Sequence, residues 1–252
     1  MTIDMTQSTN SYTEHEPHGA LRRHFRRVWF HHIPAGPAVS TLIVPDGCVD
    51  IHWMAGKLTV AGPDRTAVQE MLDPGSTVVG MRFQPATAAN WLNLPLTELL
   101  NRRVALEDIW GGEARRLGDF IGMPATPELV AQRLQQGLHR HAAVVAPAAK
   151  EMVALFAMSN MGNRSLQVKE LAERLGISER NLRRRCEAAY GYGPKTLQRI
   201  LRFQRFLAYP HRHHGLADAA IEAGYADQAH LSREVAQLTG ATPSRIIDLI
   251  VK

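Results

Sequence analysis

The stretch "GYADQAHLSREV", residues 224–235, decides how this chain is read. It opens on a glycine and carries Gln228, His230, Ser232 and Arg233, with Leu231 and Val235 as apolar anchors. Upstream, "LAERLGISERNLRRRCEAAYGYGP" (171–194) follows the same pattern as "AAIEAGYADQAHLSREVAQLTGATP" (219–243). Gly176 answers to Gly224 at an offset of 48. Leu182, Arg184, Cys186, Gly191 and Pro194 answer to Leu231, Arg233, Val235, Gly240 and Pro243 at an offset of 49. The pattern repeats, with one residue inserted in the turn.

Each copy reads as a helix ending at a glycine, a short turn closing on a capping residue (Ser178, Asp227), and a second helix. The apolar residues of that second helix fall at i, i+4 and i+7: Leu182, Cys186 and Ala189, then Leu231, Val235 and Leu238. Fixing this stripe inward turns Arg180, Arg183 and Arg184 outward in the first copy, with Asn181 beside them. In the second copy Gln228, Ala229, Ser232 and Arg233 turn outward, and His230 is counted with them. A helix-turn-helix whose second helix bears such donors can lay them along base edges in the major groove. A purely structural helix hairpin is the alternative for one copy, and the second copy argues against it. Between the copies, Pro194 opens "KTLQRILRFQRFLAY", which Pro210 ends. Leu197, Ile200, Leu201 and Leu207 form its apolar stripe, leaving Lys195, Arg199 and Arg202, with Arg205, as candidate phosphate contacts.

Charge agrees with this placement. The net charge is +5; residues 1–150 hold 14 Lys+Arg and 14 Asp+Glu, and residues 151–252 hold 15 and 10. A basic surface confined to one part of the chain favours phosphate partners through counterion release, although an unbalanced solvated face is the bland alternative.

Residues 160–252 resemble the DNA-binding domain of AraC/XylS-type transcription regulators. The resemblance is carried by Gly224, Tyr225, Asp227, Gln228, His230, Leu231, Ser232, Arg233, Thr242 and Pro243. Val235 departs from it, since an aromatic residue is usual there, and Cys186 holds the equivalent place in the first copy. The resemblance implies two recognition helices in successive major grooves of double-stranded DNA. RNA polymerase is a further partner it allows.

The N-terminal part reads differently. Residues 1–18 are polar and patternless and are expected to be disordered. "VSTLIVPDG", "CVDIHWMAGKLTVAGPD" and "PGSTVVGMRF" read as strands of a small antiparallel β-barrel or sheet, with Ala55-Gly56 at a hairpin tip. "PATAANWLNLPLTELLNR" and "ALEDIWGG" follow as short helical patterns. The fold class expected is therefore α+β. By the resemblance to these regulators, residues 19–125 are expected to be an effector-sensing or dimerisation domain, 126–159 a helical connector broken near Pro147, and 160–252 the all-α DNA-binding domain, with "NMGNR" as the linker. "LIVPDGCVDIHW", "VAGPD", "VVGMRFQPATAANWLNLPLTEL" and "LEDIWG" resemble the sensory domain of a less studied branch of the same regulators. That implies an unidentified small-molecule effector and leaves a homodimer open. The candidate effector residues are Asp46, Cys48, Asp50, His52, Trp53 and Arg82.

Catalysis finds little support. The pair His31-His32 and the isolated His52 lack the His-x-His spacing of a metal-dependent cupin, and His139 and His141 diverge on a helix. "HRHH" (211–214) falls in the connector after Pro210. Two cysteines, Cys48 and Cys186, are too few for a four-cysteine zinc site. No cofactor or metal is expected, and an enzyme fused to a DNA-binding module is the remote alternative. Cys48 is open between a redox or metal sensor and a small core residue. Arg82 is open between an effector clamp and a pair with a buried aspartate. No run of 18 apolar residues occurs, and the polar start lacks a signal-peptide pattern, so a cytoplasmic protein without membrane contact is expected.

Overall fold

The computed structural model describes residues 2–4, 11–37, 39–124, 126–142, 145–146, 148–161, 166–209 and 215–250. Its strands are β1 (Thr2–Asp4), β2 (Ser11–His15), β3 (Phe25–His32), β4 (Val39–Ile43), β5 (Asp50–Met54), β6 (Lys57–Ala61), β7 (Val68–Leu72), β8 (Thr77–Phe83) and β9 (Arg103–Ala105). They form a six-stranded sheet, β2-β3-β8-β5-β6-β9, and a three-stranded sheet, β1-β4-β7. Every pairing is antiparallel, and two sheets rather than a closed barrel result. The β5–β6 tip is the expected Ala55-Gly56, both at positive φ (47° and 83°), as a tight hairpin turn requires.

Strand alternation divides the six-stranded sheet into two faces. Ile51 and Trp53 of β5, with Val79, Met81 and Phe83 of β8, point into a core closed by helices. Those helices are α1 (Ala88–Leu92), α2 (Leu106–Trp110), α3 (Gly112–Ile121) and α4 (Pro127–Ala142). Asp50, His52, Val78 and Arg82 take the opposite face, toward the small sheet. Gly80 lies under the Trp29 indole so closely that a Cβ there would overlap the ring, which fixes how Trp29 lies on the sheet.

Two expectations change here. Residues 11–18 contribute β2, which pairs with β3 and places Glu14 opposite Trp29, so this polar segment is held by backbone pairing that hydrophobic patterning cannot reveal. The connector is also not a separate unit. Val130, Leu134 and Leu138 of α4 belong to the N-terminal core, whereas Met152 and Leu155 of α5 (Lys150–Asn160) belong to the C-terminal one. Most of the "NMGNR" linker, Pro147 and "HRHH" lie outside the described residues.

The C-terminal domain comprises α6 (Val168–Arg174), α7 (Glu179–Tyr190), α8 (Pro194–Ala208), α9 (Leu216–Ala223), α10 (Gln228–Thr239) and α11 (Pro243–Ile250). Helix α8 buries Leu197, Ile200, Leu201, Phe203, Phe206 and Leu207 between the two hairpins. Val44 and Ala86 of the N-terminal part join this same core. The two parts are further tied by Gln204 Nε2 donating to the Pro45 carbonyl at 2.7 Å and Ala67 N–H donating to the Leu238 carbonyl at 2.6 Å.

Candidate nucleic-acid interface and effector cavity

Each hairpin is built by local chemistry. Helix α6 ends at Gly176 (φ 66°) and α9 at Gly224 (φ 90°), left-handed positions that cost glycine little. The recognition helices then start on side-chain caps. Ser178 Oγ accepts from the Asn181 N–H at 3.2 Å, and Asp227 Oδ1 from the His230 N–H at 2.6 Å. Leu182, Cys186, Leu231, Val235 and Leu238 are buried, and Ala189 is half-buried.

With the stripe inward, Arg180, Arg183, Arg184, Gln228, Ala229 and Arg233 are exposed, and Asn181, His230 and Ser232 are half-exposed. Asn181 orients two arginines: its Oδ1 accepts from Arg184 Nη2 at 3.1 Å and from Arg185 Nε at 3.2 Å. Ser232 Oγ donates to the Gln228 carbonyl at 2.9 Å. His230 is largely structural. Its ring packs edge-on against Tyr225, 5.3 Å between centroids, and Nδ1 accepts from the Ala226 N–H at 3.3 Å.

The four candidate phosphate contacts separate. Arg205 donates inward, from Nε to the Ala223 carbonyl at 3.2 Å and from Nη1 to the Ser159 carbonyl at 3.1 Å. Lys195 is exposed in a cleft shared with Arg180, Arg183 and Arg199. Arg199 is partly engaged, with Nη2 on Gln237 Oε1 at 2.8 Å. Arg202 is withdrawn from the phosphate contacts. Its guanidinium holds Glu234 of α10 at 2.9 Å, covers the Tyr225 ring at 5.0 Å, and is 11% exposed. Arg65 of the N-terminal part lines the same cleft as Lys195, a placement no local sequence pattern signals.

The second site lies between the sheets, a cavity of about 100 Å³. Asp46, Cys48, Asp50, His52 and Arg82 all line it. Trp53 does not: one position along β5 from His52, it points into the opposite, helix-covered core. Arg82 pairs with Asp50 at 3.2 Å and Asp46 at 3.8 Å, so of its two readings the aspartate pair is the one present. Sequence reasoning missed the polar Thr41, His31, Asp64, Glu70 and Arg103, which also line the cavity. Arg103 forms a fork with Asp64 (2.9 and 2.8 Å) and reaches Glu70 at 2.7 Å. The charged residues in "VAGPD" and on β7 and β9 were the available signal.

Burial pushes the Cys48 thiol up to about 12, and Asp46 adds to the effect. That disfavours the thiolate a redox sensor would use. Burial also holds His52 below the usual histidine range, so its ring is neutral at pH 7. Among the described residues, no group of three or more His, Cys, Asp or Glu is placed to hold a metal ion.

Residues 171–248 match the family described as Helix-turn-helix domain, and residues 13–105 match the Domain of unknown function (DUF6597). The C-terminal domain is an AraC-type helix-turn-helix domain. The Invasion protein InvF of Salmonella typhi is 31% identical to this chain over 97 residues. The match covers 38% of this chain and 44% of that protein, so the chain spans less than half the length of the curated relative. ToxT from Vibrio cholerae superposes with a TM-score of 0.47 at 9% identity, covering 99% of this chain and 97% of that one. A probable AraC family transcriptional regulator from Rhodopseudomonas palustris gives 0.35 at 19% identity, covering 40% and 98%. Among the described residues, no helix is long and apolar enough to cross a membrane.

Proposed function

We propose that this chain is a sequence-specific transcription regulator that reads double-stranded DNA with α7 and α10 and takes a small-molecule effector in the cavity between its sheets. One observation carries the reading. Two capped helices of matching sequence are held by a common helix, α8, and both turn polar or cationic residues outward. Arg180, Arg183, Arg184, Gln228 and Arg233 are assigned to base edges and Lys195 to phosphate; Asn181 and Ser232 position their neighbours. No residue is assigned a catalytic role.

The loop after β4 supplies the coupling. Asp46 and Cys48 line the cavity, while Pro45 accepts from Gln204 and Gly47 lies 3.6 to 3.7 Å, by its would-be Cβ, from Phe156, Leu197 and Tyr192. A ligand that moves this loop therefore bears on α8, which spaces the two recognition helices. The reading is tested by mapping the genomic sites of the full-length protein and measuring its affinity for a recovered site and for random duplex at several salt concentrations. Affinity should fall steeply with salt on both, and Arg184→Ala should lose roughly 1 to 3 kcal/mol on the recovered site and markedly less on random DNA. Equal losses on the two would overturn the assignment of α7 to base reading.

A further inference from the structure

We infer that the occupant of the cavity between the sheets is a small organic cation, an alkylammonium or guanidinium compound; this rests on the reading of that cavity as the effector site. Charge decides the class. Asp46, Asp50, Asp64 and Glu70 line the cavity against Arg82 and Arg103. Even with Asp46 set aside, three carboxylates face two guanidiniums; two histidines, His31 and His52, share the wall, and burial keeps the His52 ring uncharged at pH 7.

An anionic effector has no open partner here. Arg82 is held by Asp50, and Arg103 by Asp64 and Glu70. An incoming carboxylate would have to displace one of these while adding negative charge to a net negative, buried space. A neutral apolar ligand fails on a separate observation. Thr41, 1% exposed, faces the cavity from β4, and its Oγ1 has no hydrogen-bond partner. A buried hydroxyl oxygen without a donor is costly, and an ammonium or guanidinium N–H supplies that donor. Trp29 adds an aromatic wall whose Nε1 is committed to Asp50 at 3.0 Å. Size sets the rest: a cavity of about 150 Å³ takes benzene, so about 100 Å³ takes roughly four to six heavy atoms.

The experiment compares butylammonium, 1-butanol and butyrate, which share a four-carbon body and differ in charge, by calorimetric titration of the full-length protein. Butylammonium should bind saturably and about tenfold or more tighter than 1-butanol, with butyrate weakest. Thr41→Val should weaken butylammonium about tenfold and 1-butanol, whose single O–H is an uncharged donor, by less. The same variant should be no less stable than the parent when empty, because it removes an unpaired hydroxyl. Asp50→Asn, where it folds, should weaken butylammonium further. If 1-butanol or butyrate binds tightest at a site sensitive to Thr41→Val, the cavity remains an effector site and the cation assignment is overturned. Binding of butylammonium that ignores Thr41→Val overturns the assignment to this cavity, and binding by none of the three overturns the effector reading with it.

Discussion

Arg183 on α7 is 74% exposed and paired to Glu187 one turn away, whereas Arg202 on α8 is 11% exposed and grips Glu234 on α10. The two substitutions to alanine should therefore separate cleanly. Arg183→Ala should shift stability by less than about 0.5 kcal/mol and weaken recovered-site DNA by roughly 1 to 3 kcal/mol. Arg202→Ala leaves a buried carboxylate without its main partner and should lower stability by about 2 kcal/mol, read as a lower urea midpoint at unchanged slope. A smaller loss for Arg202 than for Arg183 would show that Glu234 is not held as described. His52 gives a second residue-level test. Its folded-state pKa lies below 6.5 because burial disfavours the charged ring, so the unfolded chain takes the proton first. Stability should then fall as pH drops below about 6.5, and His52→Gln should flatten part of that slope; His24, also depressed by burial, accounts for another part.

At the scale of elements, the caps decide where the recognition helices begin. Asp227→Ala removes the acceptor at 2.6 Å from the His230 N–H and should cost about 1 kcal/mol, with amide exchange rising at the start of α10 and not in α7. Ser178→Ala should do the converse. These caps were legible in the sequence because each is set within a few residues: glycine, capping side chain, then a stripe with helical period. What the sequence did not show depends on partners far along the chain. Arg202 meets Glu234 across 32 residues, and Arg103 meets Asp64 across 39. Strand β3, "FRRVWFHH", carries two adjacent arginines and a register irregularity after Phe25, so its alternation is broken where pattern reading would start. Trp53 is grouped with Asp50 and His52 among the effector candidates, yet strict alternation along β5 turns it to the helix-covered face. Asp50, His52 and Arg82 are visible as polar side chains in apolar strands, and Asp46 and Cys48 in the short loop before β5, while Thr41 is an uncharged residue on a strand whose partners fix its direction.

Across the whole molecule, the N- and C-terminal parts share buried apolar contacts. Val44 and Ala86 sit in one apolar cluster with Leu197, Ile200 and Phe203, and Gly191 (φ 80°) packs its bare Cα against Pro63 and Leu96. Removing apolar surface from water in this way ties the unfolding of one part to that of the other. The parent protein should therefore melt in a single calorimetric transition. Gly191→Val tests the tie, because its Cβ would stand 2.7 Å from Pro63 Cγ and 3.0 Å from the Leu96 carbonyl, and its positive φ is one a β-branched residue avoids. The substitution leaves the exposed arginines of α7 in place, yet it wedges α7 away from the 3₁₀ turn at Leu96–Leu99. The expected result is two transitions, with DNA affinity retained and any effect of a cavity ligand on that affinity reduced. A single transition in the variant, with ligand response intact, would show that the two parts communicate by another route than this seam.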